Sequence, residues 1–420
     1  MLAGTHGNPD KQIWLFAHFW NRDINQWWHK RLGFESIYYL YSCSKERLLV
    51  EEIRALTGLR WFAALAVFFF HFGLPSWSPT VLNNLQRNGA LGVQFFFILS
   101  GYILTVRYAP TPPKIRKFLI SRFARIGPMY YVALLIGVAY TALSSNQLDL
   151  AVLGLHVGAL QAWTTDMDTA TSFNGPAWTI SVEFFFYCTF PFIIQIAQRG
   201  CGGLRRPLLI MLVGTVFGAT LSILHVVSYG PLPPELRELP NSFVWSSLMP
   251  IRYLGLFISG IGAAMLTIAI QEAGDSHRIV RKVLQPDLMV FALISLLVLF
   301  NLNSPKNALL SLFSNFWMGA IPVGLMLCSI HLHPNCLISR FLGIKSLNFL
   351  GRMSYAFYIL HIPVMMSLGL VAPQVHYEFK FVSVLACAAL SYKLIEDPLR
   401  LRINKISNVR HQFRSGIRPS

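Results

Sequence analysis

The chain has 420 residues, of which 54% are apolar and only 13% charged, with a mean hydropathy of +0.50. So little polar surface excludes a soluble globule of this size and points to a membrane protein. The formal charge of +17 does not indicate nucleic acid as a partner, because Lys and Arg cluster in short segments between long apolar runs, as cytoplasmic loops would carry them.

Residues 1–50 are aromatic-rich (Trp14, Trp20, Trp27, Trp28), with one apolar patch broken by Asn21, Arg22 and Asp23. No cleavage site or long apolar core follows, which argues against a signal peptide and for a cytoplasmic or interfacial extension, a misplaced start codon being the alternative. Apolar runs long enough to cross about 30 Å of hydrocarbon lie near 56–74, 89–106, 127–144, 177–198, 207–228, 251–270, 288–302, 309–330, 353–371 and 379–396. The expectation is an all-α polytopic transmembrane helical bundle of about ten spanning helices over residues 51–400, followed by a basic cytoplasmic tail, 401–420. The stretch 148–163 is apolar but short and carries Asp149 and His156, so it reads as a re-entrant or interfacial helix.

Six basic residues and no acid lie between Arg107 and Arg125, whereas residues 126–198 contain no Lys or Arg. The first stretch is therefore expected on the cytoplasmic side and the 145–176 loop outside. With ten spans, the basic loops at 199–206, 271–287 and 331–352 return to the cytoplasm, and both termini are cytoplasmic. An eleventh span at 148–163 would break that parity. The location this implies is the inner (plasma) membrane, crossed many times. The six cysteines show no CxxC spacing, so neither a disulfide framework nor a metal site is indicated.

Ionisable groups within spans cost about 2.5–3.5 kcal/mol each on insertion scales and are functional candidates by default. The first span holds Arg60 and His71. Eleven residues apart, they share one face to within about 20° and are separated by about 16 Å along the axis. Snorkelling of Arg60 and a satisfied core histidine are the bland alternatives. The shared face favours a bound acyl thioester, with Arg60 on the cofactor arm or carbonyl and His71 as general base or acyl acceptor. Glu183, in the Asn174–Glu183 stretch, sits at a depth close to that of His71 and is expected to orient it or to bind a hydroxyl, a structural ion pair being the alternative. Ser354, Tyr358 and His361 form a polar stripe ahead of Pro363. Arg122 and Arg125, one helical turn apart, present a double cation, which positive-inside bias explains equally well as the phosphates of coenzyme A.

These residues fall into a pattern that resembles the acyltransferase-3 family of membrane O-acyltransferases, over about residues 53–400. The elements are Arg60 and His71, Gly92-Val93-Gln94-Phe95-Phe96-Phe97-Ile98-Leu99-Ser100-Gly101, and then Arg122, Arg125, Pro128 and Tyr130. Trp178-Thr179-Ile180-Ser181-Val182-Glu183, then Ser354, Tyr355, Tyr358 and His361, and finally Ile395-Glu396-Asp397-Pro398 complete it. Gln94 stands where many members carry Asp, Thr179 where Ser is usual, and Leu254-Gly255 where a Glu often follows. The resemblance implies acyl-CoA, usually acetyl-CoA, as co-substrate rather than a permanently bound cofactor, and no further esterase-like domain is expected here.

The expectation that follows is transfer of an acetyl or other short acyl group from cytoplasmic acyl-CoA to a hydroxyl of a carbohydrate or glycoconjugate. A macrolide or other small glycoside is the second choice of acceptor. His71, Glu183 and Arg60 would carry the chemistry, Arg122 and Arg125 with Arg60 would hold the donor, and Trp178, Ser181, Tyr358 and His361 would face the acceptor. Partners would be acyl-CoA, the acceptor and membrane lipids. A transporter is the rival of a different class, and a non-catalytic relative the third.

Overall fold

The computed structural model describes residues 54–75, 77–78, 86, 89–144, 147–164, 166–199, 203–229, 249–287, 290 and 320–414. The chain divides into two units, Met1–Glu51 and Glu52–Ser420. The expected N-terminal extension, the span at 288–302 and the first half of that at 309–330 lie outside the described residues.

Every described regular element is helical. In chain order these are α1 (Arg54–Phe72), α2 (Leu91–Tyr108), α3 (Ile115–Leu143), α4 (Leu150–Val157), α5 (Met167–Thr171), α6 (Trp178–Gln198), α7 (Arg205–Tyr229), α8 (Pro250–Glu272), α9 (Arg278–Val283), α10 (Ala320–Leu332), α11 (Leu337–Leu342), α12 (Lys345–Val371), α13 (Tyr377–Ser391) and α14 (Asp397–Arg414). Among the described residues six helices are long and apolar enough to cross a membrane: α1, α2, α3, α6 with the turn before it, α8 and α12. That is fewer than the ten expected. Over the other expected spans, α7 has 25 residues, α10 has 13 and α13 has 15.

α1 is built from Leu, Ala and Phe without a proline, and it stops at Gly73, whose φ of +78° is the left-handed conformation that glycine tolerates at a helix end. α3 starts twelve residues before the expected span, so Arg122 and Arg125 project from the helix itself rather than from a loop. At 29 residues it is about 43 Å long, well beyond the hydrocarbon thickness. Leu208, Leu209, Leu212, Val213 and Val216 form an exposed apolar stripe on α7, the kind of face that lipid covers.

Lipid tails are as apolar as Leu, so helices in a bilayer associate through close packing rather than through the hydrophobic effect. The crossings here show it. A Cβ on Gly351 of α12 would strike the carbonyl of Thr57 on α1, and one on Gly260 of α8 would strike that of Ile98 on α2. Phe68, fully buried, then packs against Phe357 of α12 and Phe381 of α13, with ring centroids 5.5 and 5.1 Å apart. These crossings hold the far end of α1 against the middle of α12.

Between α3 and α6 the chain builds a compact cap. α4 is only eight residues, about 12 Å, too short to span. Asp149 caps it, accepting from the N–H groups of Ala151 and Val152. His156 Nε2–H donates to Thr169 O at 2.9 Å, Tyr130 OH donates to His156 O, and Gln161 Nε2–H donates to Ala177 O at 2.8 Å. The cap is thereby tied to α3 and to the start of α6, the helix that carries Trp178 and Glu183.

Candidate active site

His71, at the end of α1, lines a pocket with Val93, Gln94, Trp178, Tyr253 and Tyr358. Its Nδ1 lies 2.9 Å from Val67 O and 3.1 Å from Nε2 of His361 on α12. Nδ1 of His361 in turn contacts Tyr358 O. A carbonyl only accepts, so each Nδ1 carries the proton, and His361 Nε2 is the acceptor for His71. The lone pair of His71 is then on Nε2. An imidazole in this tautomer can take a proton or attack a carbonyl carbon, and the acceptor behind it supports the positive charge that develops.

The partner of His71 is thus His361, not Glu183 as similar depth alone predicts. Glu183 instead accepts from Tyr187 OH at 3.0 Å, one turn along α6, and lies in the field of Arg60, Arg125 and Arg122. The reason is position along the bundle: Trp178, at the start of α6, lines the pocket with His71, whereas Glu183 is five residues, about 7.5 Å, farther along that helix toward the arginines.

Arg60 is half-buried, its guanidinium 6.0 Å from the Phe96 ring centroid. Arg125 is ion-paired with Glu396, a carboxylate 1% exposed in the π-turn Tyr392–Glu396 between α13 and α14, and stands over the Tyr355 ring. Arg122 packs on Phe118, with its Nε buried and without a hydrogen-bond partner among the described residues. Arg60, Arg122 and Arg125 thus share one region with the carboxyl groups of Glu183 and Glu396. His71 lies about 16 Å farther along α1 than Arg60, so the bundle has a cationic end and an imidazole end joined by polar side chains of α6 and α12.

Trp178 lines the pocket, stacked at a tilt on Tyr253 with centroids 5.2 Å apart. Tyr358 also lines it, and its hydroxyl donates to Thr179 Oγ at 3.2 Å, whose own proton goes to Pro176 O at 2.9 Å. Ser181 is buried, and its Oγ has no hydrogen-bond partner among the described residues. Its side chain is not part of the pocket wall. His361 lies behind His71 rather than in the wall.

Three positions carry more than the sequence reading assigned to them. His361 contacts the other histidine, Glu396 holds Arg125, and Gln94 puts a buried amide in the pocket. The signal for Gln94 and Glu396 was present, since each is a polar residue inside an expected span. A further buried set, Tyr102 OH within 2.8 Å of both Thr267 Oγ and His331 Nδ1, joins α2, α8 and α10.

Residues 53–392 match the acyltransferase-3 family model, an acyltransferase domain. The chain is similar to the acyltransferase MdmB of Streptomyces mycarofaciens, 32% identical over 230 residues, which cover 52% of this chain and 58% of that protein. It is also similar to the peptidoglycan O-acetyltransferase OatA of Listeria monocytogenes, 23% identical over 387 residues, 83% of this chain and 56% of that protein. The match therefore spans little more than half the length of either relative. No solved structure matches the chain.

Proposed function

The chain belongs to the acyltransferase-3 family, and on that premise we propose that it moves an acetyl or other short acyl group from cytoplasmic acyl-CoA to a hydroxyl of a carbohydrate or glycoconjugate. The observation that carries the reading is His71 in a pocket wall with Nδ1–H directed to Val67 O and His361 Nε2, which sets Nε2 as the basic atom. Nε2 removes the proton of the acceptor hydroxyl as that oxygen attacks the thioester carbonyl, and the imidazolium later protonates the leaving thiolate.

The donor is held through its anionic groups at the cationic end, by Arg122, Arg125 and Arg60, with Glu183 and Glu396 limiting the excess charge. Its pantetheine arm runs along α1 toward His71, a distance of about 16 Å. The acceptor stands against Trp178, Tyr253 and Tyr358, aromatic faces suited to the apolar side of a sugar ring. In this reading the cationic end is cytoplasmic and the capped end faces outward, in keeping with the charge bias of the loops. A carbohydrate acceptor is supported by the relative named as a peptidoglycan O-acetyltransferase.

The test is His71→Ala, with the variant present in membranes at the wild-type level. Mass spectrometry of surface glycans should show loss of an acetyl-sized increment, and release of thiol from acetyl-CoA should fall to background. Acetylation at the wild-type level in that variant would sink the mechanism.

A further inference from the structure

Gln94 has no place in the scheme above, yet its side chain is the odd feature of the pocket. It is 5% exposed on α2, lines the same pocket as His71 and is surrounded by apolar and aromatic side chains. Its Nε2 has no hydrogen-bond partner among the described residues. A glutamine inside an apolar helix ordinarily spends its N–H groups on a neighbouring carbonyl or side chain, because an unmade bond to a buried donor is costly. Here the donor lines the same pocket as the imidazole that handles the proton. A donor held in place before reaction is the arrangement that stabilises charge developing on a carbonyl oxygen.

We propose that Gln94 is a catalytic residue whose amide N–H binds the carbonyl oxygen of the acyl thioester and the oxyanion formed from it. The role rests on the thioester reading of the site. As the acceptor oxygen bonds to the carbonyl carbon, its proton passes to His71 Nε2 and the carbonyl π pair moves onto oxygen, where the Gln94 N–H meets it. Collapse re-forms the carbonyl, breaks the carbon–sulfur bond and returns the proton from His71 to the thiolate. Among the polar side chains of the pocket wall, Gln94 is the one whose buried N–H has no hydrogen-bond partner among the described residues.

The experiment uses the full chain in lipid nanodiscs and acetyl-CoA labelled with carbon-13 at the thioester carbonyl. In the wild-type protein the carbonyl stretch of bound acetyl-CoA should move to lower frequency, and in Gln94→Met that displacement should vanish. With water as acceptor, thiol release by Gln94→Met should fall about 10²- to 10³-fold, while KM for acetyl-CoA changes by less than about twofold. The thermal midpoint should stay the same or rise, since an apolar side chain replaces a buried donor. A role in folding alone would lower it. Gln94→Glu, which accepts but does not donate when ionised, should be as impaired as Gln94→Met. Bound acetyl-CoA with an undisplaced carbonyl, or wild-type turnover in Gln94→Met, overturns the role of Gln94 alone. A wild-type chain that does not bind acetyl-CoA overturns the thioester reading and this role with it.

Discussion

The guanidinium of Arg125 on α3 is held by the carboxylate of Glu396, 271 residues further along the chain, where a π-turn joins α13 to α14. Arg125 also lies in the field of Arg60 and Arg400. Glu396 therefore offsets the charge of Arg125 where other arginines lie nearby. Glu396→Gln should lower stability by about 3–5 kcal/mol, the usual cost of stranding one partner of a buried pair. Glu396→Gln combined with Arg125→Met should recover most of it. Thermal unfolding of the detergent-solubilised protein reads both, and an unchanged midpoint in the single variant would exclude a buried pair.

The hydrogen bond between the two histidines makes a graded prediction. His71→Ala should lose all measurable transfer. His361→Ala should lose about 10- to 10²-fold in kcat, less than the full effect of a general base. His361→Gln, whose side-chain oxygen can still accept from His71 Nδ1–H, should regain part of that loss. Equal activity of His361→Ala and wild type, measured at matched amounts of folded protein, would remove His361 from the mechanism.

His156 supplies a pH dependence away from the spanning helices. Its Nε2–H donates to Thr169 O, and its Nδ1 is buried without a hydrogen-bond partner among the described residues, so burial holds the imidazole below its ordinary 6.5. The unfolded cap binds a proton more readily than the folded one. The contribution is thus complete above about pH 6.5 and declines as pH falls from there toward the lowered folded value. Hydrogen exchange over residues 150–171, corrected for intrinsic rates, should be faster at about pH 5.5 than at about pH 7.5. His156→Gln keeps a donor but does not titrate, and should abolish the difference.

The helix crossings predict opposite signs for two glycines of one helix. Gly351→Ala drives a methyl into the Thr57 carbonyl and should destabilise by about 1–3 kcal/mol, with lower transfer activity because α12 carries His361. Gly369→Ala, on the same helix with nothing within 4 Å, should stabilise by about 0.4–1 kcal/mol. Unfolding midpoints of the two variants settle it. Equal effects would mean that α1 and α12 do not meet at Gly351.

Much of this protein was legible along the chain. Apolar run length marked α1, α2, α6 and α8 within a few residues and the end of α12, though not its start at Lys345, and the eleven-residue interval put Arg60 and His71 on one face, because helical periodicity is a local property. Charge clustering identified the cationic segment around Arg122 and Arg125. It missed that α3 begins at Ile115, since hydropathy marks the length of the apolar part and not that of the helix.

What only the tertiary structure decided is which polar side chains meet. His71 and Glu183 are expected at similar depths, yet His71 meets His361 and Glu183 meets Tyr187 and the arginines, because the level at which α6 lies against α1 is set by packing. Glu396 reaches Arg125 through a π-turn that no periodicity announces. Gln94 was visible as a polar residue in an apolar run, but the absence of a partner for its amide among the described residues is a property of the packed bundle. A sequence specifies position along one helix at a time, whereas a site needs several helices to agree on level and rotation, and that agreement is reached only when they pack.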